Sequence, residues 1–139
     1  MSPESRDWAT LNVIGEYVSP DDRLRFIVQQ DEQDISLGFE GYPWHTHADM
    51  LASTFGTSEA LAINRFVDDL LSDRCIIAVS RIGGTIHDVW ITTDPRSDLR
   101  HGSDDEVLEF RYWSSAPWKP APYAAAANLI QRQAARPAP

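Results

Sequence analysis

The sequence predicts an α+β domain in which a mostly antiparallel sheet of about five strands is backed by one main helix. Three observations favour this class: short segments alternate apolar and polar residues, one longer segment carries an apolar stripe at helical spacing, and the connections are short. The chain has 139 residues and is 42% hydrophobic, as expected for one core. We assign residues 1–118 to a single domain and residues 119–139 to a tail rich in Ala and Pro.

The first half of the chain predicts a hairpin. A segment running through Trp8 and Tyr17 predicts a short helix or a strand. Residues 24–29 then predict the first clear strand, and residues 35–39 predict the second, after a polar turn at 30–33. These two strands should pair in antiparallel fashion.

Two helices are predicted next. A short one spans about 48–55 and stops at Gly56, and the T-x-x-D pattern predicts that Thr46 caps it at Asp49. The main helix spans about 58–72, with Thr57 or Ser58 as its cap. Its apolar residues recur at a spacing that forms one stripe: Ile63, Phe66, Val67, Leu70 and Leu71.

The second half predicts three more strands. Residues 75–82 form an apolar run, Gly83-Gly84 is a hairpin turn signal, and residues 85–93 alternate. A polar loop is predicted over 96–104, followed by a last strand over 107–113. In the tail, the Ala-rich run 123–134 predicts a short C-terminal helix, because alanine has the highest helix propensity.

Composition excludes several classes of protein. The sequence contains no apolar run of the roughly 18 residues that a membrane helix needs, and its N-terminus lacks a signal pattern, so we expect a cytoplasmic protein with no membrane partner. A single cysteine, Cys75, excludes a disulfide framework. Because Cys75 begins an apolar run, it predicts a buried, inert thiol.

Charge is unevenly distributed. The chain has 21 acidic and 12 basic residues, a net charge of −9, and Lys119 is its sole lysine, which argues against a nucleic-acid partner. Residues 26–64 contain no Lys or Arg. They carry six acidic residues: Asp31, Glu32, Asp34, Glu40, Asp49 and Glu59. Such a surface attracts basic partners.

Aromatic and imidazole side chains are concentrated in the same region. Tyr42, Pro43 and Trp44 lie on a predicted turn, and Trp and Tyr dominate interface hot spots. We therefore predict a binding site for a basic protein partner. Its residues are Asp31, Glu32, Asp34, Glu40, Tyr42, Trp44, His45, His47 and Asp49. Trp90 and Trp113 are predicted to be core residues.

His45-Thr46-His47 supports an alternative, a small zinc-dependent hydrolase. In extended backbone, residues i and i+2 point to the same face, so the two imidazoles could bind one metal ion, with an oxygen ligand from Asp49 or Glu40. Glu40 or Asp49 could act as the base. The pair also resembles the HxH of small zinc deubiquitinase-like hydrolases. The chain lacks their proline after the second histidine and their downstream serine and aspartate spacing.

The segments HDVWITTD (87–94) and EFRYW (109–113), together with the chain's size, dense acidic residues and predicted α+β layout, resemble the small acidic immunity proteins that bacteria encode beside polymorphic toxins. The likeness covers most of residues 20–115. It implies an inhibitor without a cofactor or catalytic residues, which binds a basic cognate toxin and blocks its active site or another essential surface.

Overall fold

Within the described residues, two antiparallel sheets, of four and three strands, and three helices make up the α+β fold. The structure is a computed structural model and describes residues 12–119. The predicted helix over 123–134 and nearly all of the predicted tail therefore lie outside the described residues. Of the helices within 12–119, none has both the length and the apolar character needed to cross a membrane.

The first sheet is a meander in which each strand pairs antiparallel with the next. Its strands are β1 (Asn12–Val18), β2 (Arg25–Asp31), β3 (Asp34–Phe39) and β4 (His45–His47). The predicted hairpin is confirmed, because Phe26 of β2 pairs with Phe39 of β3. The segment expected to be a helix or a strand around Tyr17 is β1.

Helices α1 (Ala48–Phe55) and α2 (Glu59–Leu71) connect the two sheets. Gly56 ends α1 as predicted, since it adopts a left-handed φ of 67° and its N–H donates to the carbonyl of Ala52. Ser58 caps α2, and its hydroxyl accepts a hydrogen bond from the Leu61 N–H at 3.3 Å.

The predicted cap of α1 is wrong. Thr46 lies inside β4, where it pairs with Leu37, so its backbone is part of the sheet when the helix begins. His47 occupies the N-cap position, and its side chain makes no capping hydrogen bond. The Asp49 carboxylate instead accepts a hydrogen bond from the Met50 N–H at 2.8 Å.

The second sheet has β5 (Ile76–Ile82) at its centre, between β6 (Thr85–Thr92) and β7 (Glu106–Arg111). Gly83 and Gly84 form the predicted hairpin turn, with φ values of 61° and 82° that favour glycine. Strand β7 ends at Arg111, before the predicted end at 113, because the chain then folds back and the Trp118 N–H donates to the carbonyl of Phe110.

A helix, α3 (Pro95–Arg100), replaces part of the polar loop predicted over 96–104. Its start is defined by Asp94, whose carboxylate accepts a hydrogen bond from the Ser97 N–H at 3.1 Å, and by proline at the first helical position. Asp98 holds α3 on the sheet by accepting hydrogen bonds from the Trp90 indole at 3.4 Å and from the Thr92 hydroxyl.

The predicted α+β class is confirmed, and the predicted layout of about five strands in one sheet behind one main helix matches only in part. Strands β1 and β4 enlarge the first sheet, and β5 begins a second one after α1 and α2. Alternation in the sequence indicates strands, but it does not say which strands pair across a helical connection.

One cluster of buried side chains joins both sheets to α1 and α2. The members with under 2% exposure include Phe26, Leu37, Phe39, Ala62, Leu70, Ile77 and Val89. Trp113 belongs to this core at 5% exposure, as predicted. Trp90 is only half-buried, because its indole N–H reaches out to Asp98.

Candidate partner-binding site

The β2–β3 turn presents three carboxylates. Asp31 and Asp34 pair with each other as the last residues of the ladder, and Glu32 lies in the two-residue turn between them. All three residues are exposed. Glu32 has a φ of 56°, a left-handed conformation that favours Gly or Asn over Glu.

Two helix starts bring further carboxylates to the same place. Asp49 lies in the first turn of α1 and Glu59 in the first turn of α2, where a negative charge interacts favourably with the helix dipole. Together with Gln33 and the three turn carboxylates, they line a groove of about 430 Å³, which we call the acidic groove. Five of the six acidic residues between positions 26 and 64 are therefore neighbours in space.

Basic side chains do not neutralise the acidic groove in the part of the chain that the structure describes. Across residues 12–119, none of its five carboxylates forms an ion pair with Lys or Arg. Asp34 contacts the Nδ1 atom of His47 at 3.1 Å, which compensates a charge only when that imidazole is protonated. The groove is thus a site of concentrated negative potential in the free protein.

Glu40 lies away from the acidic groove. It follows the far end of β3 and pairs with Arg25 at 3.3 Å, and Arg25 also pairs with Glu16 at 2.9 Å. The negative charge of Glu40 is therefore shared with an arginine, unlike the charges of the groove.

Tyr42 and Trp44 belong to the same far end. Both are half-buried and pack against the core, and the Trp44 ring centroid lies 6.2 Å from that of Phe39. Five residue steps of about 3.3 Å along β3 place this end roughly 17 Å from Asp34. The predicted site residues thus divide into an acidic group and an aromatic group, because the chain reverses direction between them.

The two histidines share one face of β4, as predicted. Their ring centroids are 4.9 Å apart. The Nδ1 atom of His45 lies 2.9 Å from the Pro43 carbonyl oxygen, whereas His47 contacts Asp34. In the part of the chain that the structure describes, no group of three or more His, Cys, Asp or Glu residues is arranged to hold a metal ion.

Glu59 lines the acidic groove although it is not among the predicted site residues. It contributes to the local negative charge, but it is 25 residues from Asp34 in the sequence. Its position at the start of an amphipathic helix was visible, yet only the packing of α2 beside the first sheet brings it to the β2–β3 turn. Glu59 also lines a neighbouring apolar groove of about 490 Å³, together with Ile14, Tyr17, Ile35 and Ile63.

Comparisons with protein-family models, with curated proteins and with solved structures found no significant match to this chain.

Proposed function

We propose that this protein binds a basic protein partner through the acidic groove and acts as an immunity-type inhibitor of a bacterial toxin domain. The observation that carries the proposal is the gathering of five exposed carboxylates, without a Lys or Arg partner among residues 12–119, from one turn and two helix starts. Complementary charge of this kind steers association and raises the rate at which a cationic partner binds.

The arrangement is unfavourable for the free protein, which supports a role in binding. Like charges that share one groove repel each other and destabilise the folded state. Glu32 adds a strained backbone at the centre of this surface. A cationic partner would relieve the repulsion.

The adjoining apolar groove supplies the second component of a protein interface. Ile14 is 50% exposed there and lines the groove together with Tyr17, Ile35 and Ile63. Interfaces combine an apolar centre with a polar rim, so the partner surface should carry an apolar side chain beside Lys or Arg. The two grooves meet at Glu59.

The aromatic group fits the same interface. A standard interface covers about 800 Å² on each partner, which is wide enough to include both ends of β3. Tyr42 and Trp44 then act as anchors beside Glu40 and His45. Trp44→Ala is expected to weaken the complex by about 2 kcal/mol, and an unchanged dissociation constant by calorimetry would remove Trp44 from the site.

The test expresses the product of the neighbouring gene in bacteria, with and without this protein. The gene product alone should stop bacterial growth, and co-expression of this protein should restore it. The two purified proteins should form a complex, and their association rate should fall as the salt concentration rises. The variant Asp31→Asn/Glu32→Gln/Asp34→Asn removes three charges of the groove and should slow association by about tenfold.

A matched control removes three exposed charges elsewhere: Asp22→Asn, Asp104→Asn and Asp105→Asn. Both variants change the net charge by the same amount, so a difference between them reports the groove itself. Equal effects would argue against the groove as the contact surface. About one transition-metal ion per chain in chelator-free protein, with no complex formed, would instead support the zinc-dependent hydrolase that uses His45 and His47.

A further inference from the structure

A second cavity, of about 540 Å³, lies on the second sheet. Its lining comes from β5, β6 and β7, from α3, and from the chain on either side: residues 21–24 after β1 and residues 115–119 after β7. None of the carboxylates of the acidic groove contributes to it.

Much of the cavity lining is apolar. Leu108 and Trp118 are half-buried, and Leu99 of α3 is 51% exposed. The Trp118 ring stands edge-on to Phe110, with 5.5 Å between the ring centroids. These side chains offer a surface against which an apolar or aromatic group can pack.

The charge around the cavity is opposite to that of the whole chain. Four basic residues line it, against two carboxylates, a local balance of +2 in a protein whose net charge is −9. Two of the basic residues are neutralised: Arg81 by Glu109 and Arg111 by Asp21, each at 2.6 Å.

The other two cations are Arg23 and Lys119. Both are exposed, and neither forms an ion pair within the described range 12–119. Both side chains line this cavity, together with its apolar residues. Within the described residues, no carboxylate neutralises these two charges.

We propose that this cavity binds an amphipathic organic anion, a small molecule with a carboxylate or sulfonate group on an apolar or aromatic body. Its volume lies within the range of about 300–1,000 Å³ that is typical of small-molecule sites. Arg23 and Lys119 hold the anionic group, while Leu99, Leu108 and Trp118 contact the body. The cavity is separate from the acidic groove, so this proposal does not depend on the proposed inhibitor function.

Two fluorescent probes of nearly the same shape test the proposal on the full chain. 8-Anilinonaphthalene-1-sulfonate carries the anionic group, and N-phenyl-1-naphthylamine lacks it. The anionic probe should bind saturably to the native protein. Arg23→Gln/Lys119→Gln should raise its Kd by about tenfold, because two charge-assisted contacts are lost, and should leave the Kd of the neutral probe within about twofold.

A matched control replaces Arg96 and Arg100 with Gln. Both are exposed, form no ion pair among residues 12–119, and lie on α3 without lining the cavity. This control should leave both Kd values unchanged. Leu99→Asn should weaken both probes, whereas Leu61→Asn, at a 60% exposed position on α2, should weaken neither.

Thermal unfolding of each variant shows whether it is folded, since the anionic probe also binds partly unfolded chains. The proposal is overturned if the folded wild type gives no saturable signal. It is equally overturned if Arg23→Gln/Lys119→Gln changes Kd no more than the Arg96/Arg100 control. Sedimentation shows whether the free protein is a dimer. If the probe binds only when such a dimer dissociates, the cavity is an interface between two copies, and the proposal is refuted.

Discussion

The guanidinium of Arg111 binds the carboxylate of Asp21 with both of its terminal nitrogens, at 2.6 and 3.3 Å, across 90 residues of sequence. Asp21 lies between β1 and β2 of the first sheet, and Arg111 ends β7 of the second. Arg111 also donates to the carbonyl oxygens of Tyr112 and Trp113. The pair therefore connects the two sheets and fixes the chain where it leaves β7.

Removing this pair should destabilise the fold. The side chains of Asp21 and Arg111 are only 24% and 12% exposed, so Asp21→Asn leaves a largely buried cation without its counter-ion. We expect a loss of about 2–4 kcal/mol in the free energy of unfolding, measured by urea denaturation. The neighbouring Asp22→Asn is the control, since Asp22 is exposed and Asn tolerates its φ of 62°. Equal stability of the two variants would contradict the role of the pair.

The same pair predicts sensitivity to acid. The hydrogen bond from Arg111 holds the pKa of Asp21 well below its ordinary value of 3.8. Because the native pKa is lower than the unfolded one, this stabilisation is complete above about pH 5 and is lost as the pH falls below about 4 toward the native pKa. Denaturation curves between pH 6 and pH 2.5 should show a shallower loss of stability for Asp21→Asn than for wild type. Parallel curves would show that other groups dominate.

Gly38 should be indispensable for the position of β4. A Cβ atom there would lie 2.7 Å from the Trp44 carbonyl oxygen and 3.1 Å from the Cβ of His45. Gly38→Ala must therefore separate β3 from β4, and we expect a loss of about 1–3 kcal/mol. In Gly15→Ala, the new Cβ would meet its neighbours at an ordinary 3.4 Å, so that variant should lose less. Urea denaturation measures both, and the imidazole resonances of His45 and His47 should shift only in Gly38→Ala.

The left-handed backbone of Glu32 should lower the stability of the fold. Glycine adopts its left-handed φ of 56° without the strain of a Cβ atom, so Glu32→Gly should stabilise the fold by about 1 kcal/mol. Glu32→Gln keeps the strain and relieves only the charge repulsion, so its free energy of unfolding should rise by no more than about 0.5 kcal/mol. Thermal unfolding compares the three proteins. A less stable Glu32→Gly variant would show that the turn is not strained.

Cys75 should react slowly with thiol reagents. Burial, with a smaller contribution from the charge of Asp69, raises the pKa of its thiol to about 11. The reactive thiolate is therefore scarce at pH 8, where a free cysteine with a pKa of about 8.5 reacts readily. Native protein should modify far more slowly than protein in 6 M guanidinium chloride. Equal rates would mean that the thiol is accessible and its pKa ordinary, contrary to the inert thiol that the apolar run predicts.

The two segments on which the resemblance rests have structural roles in the second sheet. In HDVWITTD, Trp90 and Thr92 bind Asp98 and Asp94 caps α3. In EFRYW, Phe110 and Trp113 are buried and Arg111 binds Asp21. These segments build the second sheet, whereas the proposed partner surface lies on the first.

The sequence by itself determined the features that depend on neighbours a few residues apart. The β2–β3 hairpin, the Gly83-Gly84 turn, the stop at Gly56 and the Ser58 cap of α2 all follow from backbone preference and local periodicity. It also determined that residues 26–64 carry six acidic residues and no Lys or Arg.

Only the tertiary structure decided which of these local features meet. The separation into two sheets, the Asp21–Arg111 pair and the arrival of Glu59 beside Asp31 depend on contacts between distant parts of the chain. The division of the predicted site has the same origin, since β4 runs back along β3 and leaves Trp44 at one end and His47 at the other. Such contacts are selected by packing of the whole core, for which no single segment carries the information.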